Sequence, residues 1–171
     1  MATTTYVGLL RAVNVGGTGK LPMADLRDLC EAVGFSDVRT YIASGNVVFR
    51  SKGSADKAKA SLEKALAEYA GKPVGVAVRT HEELAAVAAG NPFPGVAGNR
   101  LVVVFLDAPP PADALKHASH QTEERIALGR REIYIAYGEG MRDSKLKLPA
   151  AKAGTGRNLN TVLKLVEMSA E

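Results

Sequence analysis

A glycine-rich stretch between the first predicted strand and the first predicted helix carries the residues best suited to chemistry. An apolar run gives way to Arg11 and Asn14, and the pair Gly16 and Gly17 is followed closely by Lys20. Glycines let a ligand approach the backbone N–H groups at the start of a helix, and a nearby cation neutralises its charge. The pattern predicts an anion-binding corner.

Two familiar phosphate-binding motifs do not fit this stretch. A Walker loop has four residues between its first glycine and its Gly-Lys pair, and a serine or threonine follows the lysine. Here only two residues separate Gly16 from Gly19, and Leu21 follows Lys20. The dinucleotide fingerprint also fails, because Pro22 stands where the third glycine belongs. A tight turn that needs positive φ at its glycines explains the same residues, so both interpretations stay open.

A second stretch repeats this chemistry near the end of the chain. Residues 154–157 read Gly-Thr-Gly-Arg, as residues 17–20 read Gly-Thr-Gly-Lys, and a helix is predicted to follow. We hypothesise that Lys20 and Arg157 converge on one anion; the alternative is two unrelated turns. The polar positions at the start of that helix, of which the first suits an N-cap, are Asn158, Asn160, Thr161 and Lys164.

The remaining candidates are weaker. Ser44, Gly45 and Asn46 lie between two β-prone segments, and Gly-Asn is a favoured two-residue hairpin turn. Cys30 lies on an apolar helical stripe, which favours a core residue over a nucleophile. His117 and His120, with Glu124 four residues further on, could together hold a metal, but a solvated polar face is the more typical interpretation of this pattern. No metal or cofactor is implied.

The predicted elements place these residues in an α+β fold. The first half, residues 1–79, reads strand, helix, strand, strand, helix, strand, which is the ferredoxin-like order. The second half, residues 80–171, reads helix, strand, helix, strand, strand, helix: the same order rotated by one element and lacking one strand. We expect two ferredoxin-like halves that share a core, with helices packed on one face of each sheet.

Composition limits the class of protein. The chain has 171 residues, one cysteine, a net charge of +4 and 5% aromatic residues. No apolar run approaches the ~20 residues of a membrane span, and the start lacks the features of a signal peptide, so we expect a cytoplasmic protein without a membrane partner. The segment 142–164 is basic, which suits contacts with nucleic-acid phosphates or a solvated surface strip. The aromatic RNA-binding motif of ferredoxin-like domains is absent.

Several motifs together resemble one bacterial family, the one catalogued as domain of unknown function 1697. This resemblance implies two ferredoxin-like halves and no established activity or catalytic residues. The family usually has tryptophan where this chain has Leu159. The matching motifs are Leu9–Gly17, Pro22–Leu26, Tyr41–Phe49, Asn91–Phe93 and Arg157–Val162. The resemblance therefore identifies the following candidate site residues as parts of family motifs: Arg11, Asn14, Gly16, Gly17, Ser44, Gly45, Asn46, Arg157, Asn158, Asn160 and Thr161.

The first functional hypothesis is the binding of an anionic ligand, either a phosphate-bearing small molecule or nucleic acid. Arg11, Lys20 and Arg157 would supply charge, the glycine turns would supply backbone donors, and Asn14, Asn46 and Asn158 would orient the ligand. An enzyme acting on a small anionic substrate is one alternative. An interaction module without a small ligand is another, and the sequence is compatible with a homodimer.

Overall fold

The computed structural model describes residues 3–11, 22–41, 45–71, 73–138 and 144–170. These residues form two compact units. The first comprises the described residues up to Ala85 together with those from Leu165 onward, and the second comprises Ala86–Lys164. The expected boundary after residue 79 and the expected shared core stay predictions. None of the helices in the described ranges combines the length and apolar character needed to span a bilayer.

The first unit contains a four-stranded antiparallel sheet in the order β2-β3-β1-β4. Because β3 lies between β1 and β2, the arrangement is the split βαβ of ferredoxin-like folds, and the prediction for this half is confirmed. Its elements are β1 Thr4–Leu10, α1 Met23–Ala32, β2 Ser36–Tyr41, β3 Asn46–Ser51, α2 Ala55–Ala70 and β4 Val76–Thr80.

The core of this unit lies between the two helices and one face of the sheet. Leu26 and Cys30 of α1 and Leu62 and Leu66 of α2 are buried in it, at spacings of four that place each pair on one side of its helix. The same spacings in the sequence predict an apolar stripe on each helix, and the structure confirms both stripes at these positions. The spacing of apolar residues in the sequence also predicts that Tyr69 of α2 points inward, but it is 47% exposed.

Local signals in the sequence set the helix ends. Gly34 (φ 97°) follows α1, where its N–H and that of Phe35 donate to the carbonyls of Glu31 and Cys30 at 3.0 and 3.1 Å. Ser54 caps α2 by accepting the N–H of Lys57 at 3.2 Å, and Gly71 ends that helix at φ 73°. The sequence predicts Gly34 and Gly71 as helix stops and Ser54 as a cap, and the structure confirms all three.

The predicted two-residue turn at Gly45 and Asn46 is wrong. Asn46 is the first residue of β3 and pairs with Tyr41, so it belongs to the strand and not to the turn. Gly45 has φ 85°, a conformation that glycine adopts without steric cost. The hairpin itself is confirmed, since β2 and β3 pair antiparallel.

The second unit contains a four-stranded antiparallel sheet in the order β6-β7-β5-β8, the order of the first sheet. Its strands are β5 Leu101–Phe105, β6 Arg125–Leu128, β7 Glu132–Ala136 and β8 Thr155–Asn158. Helix α3, His81–Ala89, precedes the sheet, and α4, Leu159–Ser169, follows it. Two 3-10 helices, Ala114–His117 and Pro149–Ala153, occupy the connections where the first sheet has α1 and α2.

The expectation of a rotated half with one strand fewer is therefore wrong. The missing strand is β8, whose four residues include Gly156 and follow Gly154. Glycine is depleted in strands because it costs entropy and packs no side chain, so sequence patterning favoured a turn there. The sequence predicts one helical turn over residues 144–148, ended by Pro149. Instead, Lys147 forms an antiparallel bridge with Ser119, with N–H to O distances of 2.8 and 2.9 Å.

Burial makes Cys30 a structural thiol. Its side chain is 0% exposed, and burial, with a smaller contribution from the Glu31 carboxylate, raises its pKa to about 12. Since the thiolate is the reactive form, we expect a disulfide reagent at pH 8 to modify the native chain about 100-fold more slowly than the urea-unfolded chain. The chain has one cysteine, so a spectrophotometric thiol assay reads this site alone. Equal rates in the two states would contradict the assignment.

Candidate functional site

The end of β1 is held by backbone hydrogen bonds on both sides. The N–H of Leu10 donates to the carbonyl of Gly45 at 2.9 Å, and the N–H of Arg11 donates to the carbonyl of Gly75, also at 2.9 Å. β1 is a central strand, flanked by β3 and β4. Arg11 is therefore an exposed side chain on a fixed backbone position at the end of a central strand.

Asn46 fixes the hairpin beside this strand end. Its side chain is 0% exposed, and its Nδ2 donates to the carbonyl of Tyr41 at 3.0 Å, across the first pair of the β2–β3 ladder. A buried amide is costly unless it is hydrogen-bonded, so this contact favours one conformation of the hairpin end. Asn46 also pairs with Leu9 of β1, which places it next to the strand end that carries Arg11.

Arg11, Gly45 and Asn46 are thus together at one end of the first sheet. The other candidates assigned to this corner, Asn14, Gly16, Gly17, Lys20 and Ser44, lie outside the described residues. The glycine-rich turn predicted from the sequence stays a prediction, as does the convergence of Lys20 with Arg157.

The second candidate corner has a different geometry from the one expected. Residues 155–157 belong to β8, which pairs with β5, so the glycines lie in and before a strand rather than in a turn at the helix start. Arg157 is 8% exposed, and its Nη1 donates to Thr155 Oγ1 at 2.8 Å and to the Gly156 carbonyl at 2.9 Å. Burial lowers the pKa of Arg157 to about 10.

The polar residues at the start of α4 have three different environments: one caps the helix, others are buried or half-buried, and one is exposed. Asn158 is the predicted cap: its Oδ1 accepts the N–H of Thr161 at 2.9 Å, and this prediction is confirmed. The Thr161 side chain is buried, Lys164 is half-buried and Asn160 is exposed. Only Asn160 among these residues presents its side chain mainly to solvent.

A second buried arginine, Arg79, was not predicted from the sequence as a candidate residue. Arg79 is 1% exposed and pairs with Val7, as Arg157 pairs with Val103 in the second sheet. Its Nη1 donates to the preceding carbonyl, that of Val78, at 3.1 Å. Each arginine lies one residue before the residue that caps the next helix. Because the strand orders also match, Arg79 and Arg157 occupy equivalent positions in the two sheets.

The signal for this equivalence was present in the sequence. Thr80 is the predicted N-cap of a capping box, confirmed by reciprocal bonds with Glu83 of 3.1 and 2.9 Å. An arginine followed by a capping residue therefore occurs at both strand ends. The sequence pattern favoured a different repeat, between residues 17–20 and residues 154–157. Of these two segments, the first lies outside the described residues and the second belongs largely to a strand.

Metal binding finds no support in the part of the chain that the structure describes, where no three His, Cys, Asp or Glu side chains form a suitable cluster. His117 contacts Asp113 at 3.3 Å on an exposed 3-10 helix. Glu124, a candidate partner of the histidines, instead accepts the N–H of Thr122 at 2.7 Å and the hydroxyl of Ser144 at 2.8 Å. These hydrogen bonds lower the pKa of Glu124.

Comparison with known proteins identifies the family and supports the fold. A solved structure described as that of the conserved bacterial protein SP0830 from Streptococcus pneumoniae is similar at 25% identity and a TM-score of 0.83, over 99% of this chain and 100% of the other. No curated protein matches the chain. The family model described as "Protein of unknown function (DUF1697)" matches residues 3–134. The chain therefore belongs to this family, as its sequence motifs indicated.

Proposed function

We propose that the first unit binds a small phosphate-bearing or otherwise anionic ligand at the end of β1, with Arg11 as its principal cation. The observation that carries this proposal is the exposed Arg11 side chain on a backbone fixed by bonds to Gly45 and Gly75. A fixed backbone limits the conformational entropy lost when a ligand binds. Arginine also offers a planar fork of donors that matches carboxylate and phosphate geometry.

The surroundings of Arg11 support a ligand that approaches the backbone. Gly45 and Gly75 carry no side chains, and a Cβ placed on Gly75 would lie 3.8 Å from Arg11 Cβ and Cδ. The stem of Arg11 therefore lies against the backbone of Gly75, and in this proposal the anion binds beside that stem. In this proposal Asn14, Gly16, Gly17 and Lys20 supply further donors and charge from the following segment, as the sequence pattern indicates.

Arg157 has a different role in this proposal. Its guanidinium is buried and bonded within its own strand, as the equivalent Arg79 is, which favours a structural function at the end of β8. Asn158 is engaged as a helix cap. The ligand would therefore be held by the first unit through Arg11, and the second unit would contribute no primary contact through Arg157.

In the second unit, which contains the basic segment, the burial of the two tyrosines favours a small anion over nucleic acid. Single-stranded nucleic acids bind on exposed aromatic faces, but Tyr134 is 5% exposed and donates its hydroxyl to the Val87 carbonyl at 2.8 Å. Tyr137 is half-buried. Lys145, Lys147 and Lys152 are exposed cations in the basic segment, and they suit phosphate contacts without base stacking.

Isothermal titration with inorganic phosphate, pyrophosphate, nucleotides and sugar phosphates tests the proposal. A charge-assisted hydrogen bond contributes about 1.5–3 kcal/mol, so we expect Arg11→Ala to weaken binding of the preferred anion about 10- to 100-fold. Arg27→Ala is the matched control, because Arg27 is an exposed arginine on α1 of the same unit. Its affinity should equal that of the unmodified chain.

Three outcomes distinguish the alternatives. Equal losses in the Arg11 and Arg27 variants, or no binding by any anion, would overturn the proposal. Binding of an oligonucleotide with a steep salt dependence, unaffected by Arg11→Ala, would support nucleic acid as the ligand of the second unit. Chemical turnover of the bound anion, abolished by Arg11→Ala in a folded variant, would identify the protein as an enzyme.

A further inference from the structure

Tyr41 lies at the same end of the first sheet as Arg11. β1 and β2 each pair antiparallel with β3, so they run in the same direction, and Tyr41 is the last residue of β2 as Leu10 is of β1. Asn46 pairs with Tyr41 on one side and with Leu9 on the other. Residues that pair directly across strands present their side chains on one face of a sheet, so Tyr41 shares a face with Leu9.

The side chain of Arg11 projects from this same face. Side chains alternate along a strand, which places Arg11 on the face of Leu9, two residues earlier. The contact with Gly75 supports this position, because a Cβ on Gly75 would lie 3.8 Å from Arg11 Cβ. Gly75 is two residues before Ala77, which pairs with Leu9, so both belong to the face of Leu9. A phenol and a guanidinium therefore project from one face of the sheet at the same end.

The separation of these two groups exceeds the reach of inorganic phosphate. Neighbouring strands lie about 4.8 Å apart and successive residues rise by about 3.3 Å. Two strand spacings and two residues therefore place the Cα atoms of Tyr41 and Arg11 about 12 Å apart. The base and the phosphate of a nucleotide lie at opposite ends of its ribose, so a nucleotide suits two contacts that are separated in this way.

Tyr41 has the properties of a stacking surface. Its side chain is half-buried, and its backbone is held by the hydrogen bond from Asn46 Nδ2 to its carbonyl, at 3.0 Å. The other tyrosines of the first unit are engaged elsewhere: Tyr6 belongs to the core, and Tyr69 of α2 donates its hydroxyl to Asp25 of α1. A partly exposed ring on a fixed backbone can stack on a base with little loss of conformational entropy.

We propose that the anion bound at Arg11 is the phosphate of a nucleotide whose base stacks on the ring of Tyr41. This inference rests on the proposed function, because it adds a base-binding group to the same site. Arg11 supplies charge-assisted hydrogen bonds to the phosphate, and Tyr41 supplies the stacking surface. Every base has a π-face, so the ligand class is nucleoside phosphates in general rather than one particular base.

Isothermal titration with adenosine monophosphate and with ribose-5-phosphate tests the inference, since only the first ligand carries a base. Stacking of one base changes affinity about 5- to 100-fold, so we expect the unmodified chain to bind the nucleotide more tightly by that factor. Tyr41→Ala should lower nucleotide affinity to that of ribose-5-phosphate and leave ribose-5-phosphate affinity unchanged. Tyr41→Phe keeps the ring and should retain nucleotide binding. Tyr69→Ala is the matched control and should change neither affinity.

Two further measurements keep failure of the inference distinct from failure of the proposed function. Arg11→Ala should weaken both ligands by the same factor, because both carry the phosphate. NOEs between the base protons and the Tyr41 ring in the unmodified chain test stacking without any substitution, so a Tyr41→Ala variant that fails to fold leaves the inference testable. Equal affinities for the two ligands, or the absence of these NOEs, would overturn the inference and leave the anion site standing. If neither ligand bound, both would be wrong.

Discussion

Phe49→Ala is expected to lower the free energy of unfolding by about 3–5 kcal/mol, the range for removing a fully buried phenylalanine. Phe49 is 0% exposed, and its ring stacks on Phe35 at a centroid distance of 4.2 Å with the planes 9° apart. The centroid of the Tyr6 ring lies 5.8 Å from that of Phe49. Gly8 lies beside the ring: a Cβ there would be in ordinary van der Waals contact with Phe49 Cε1, at 3.5 Å.

Urea denaturation followed by circular dichroism measures this loss as a shift of the unfolding midpoint. Tyr69→Ala is the control, because Tyr69 is an aromatic residue of the same unit that is 47% exposed. It donates to Asp25 at 2.5 Å on the surface, so its removal should cost about 1 kcal/mol or less. Equal losses for the two variants would contradict the assignment of Phe49 to the centre of the first core.

Gly154→Ala is expected to have the second large effect, a destabilisation of about 3 kcal/mol, at the upper end of the range for overpacking. The backbone there is extended (φ −116°, ψ −171°), a conformation open to any residue, so the restriction is steric. A Cβ at this position would overlap the carbonyl oxygen of Phe105. It would also lie 2.7 Å from Leu106 Cδ2 and 2.8 Å from Val104 Cγ1. A backbone carbonyl of β5 cannot move away without disturbing the ladder to β8.

Gly95→Ala provides the matched comparison in the same unit, because a Cβ on Gly95 would meet no atom within 4 Å. Its substitution should leave the midpoint within about 0.5 kcal/mol of the unmodified value. If Gly154→Ala proved equally neutral in urea denaturation, the close approach of the residue before β8 to β5 would be wrong. The ligand hypothesis for residues 154–157 predicts instead a stable variant with altered binding.

The sequence predicted the first half of the fold well because its signals are strong and local. Ser54, Gly34 and Gly71 define helix ends through caps and positive φ, and the apolar residues of α1 and α2 keep helical spacing. The second half was harder to predict because its connections are short 3-10 helices without amphipathic periodicity. Strand β8 was missed because it has four residues, one of them a glycine, and is recognised by pairing with β5.

The candidate site was predicted only in part, for a similar reason. The position of Arg11 after an apolar strand could be inferred from the sequence, and so could the capping role of Asn158. The burial of Arg157 could not, since its chemistry alone suggests an exposed cation. Arg79 was overlooked because its equivalence to Arg157 depends on the register of β4 and β8 against their neighbours. Both features depend on the pairing of strands that are distant in the sequence.

A residue-resolved titration tests the central claim, that Arg11 and the end of β1 form an anion-binding site, most directly. The chain of 171 residues, labelled with 15N, would be titrated with pyrophosphate while the backbone amide shifts are followed by NMR. We predict saturable shifts centred on the amides of Leu10, Arg11, Gly45 and Gly75, and their loss in Arg11→Ala. Saturable shifts confined to the lysine-rich segment of the second unit, or no saturable shifts, would contradict the claim.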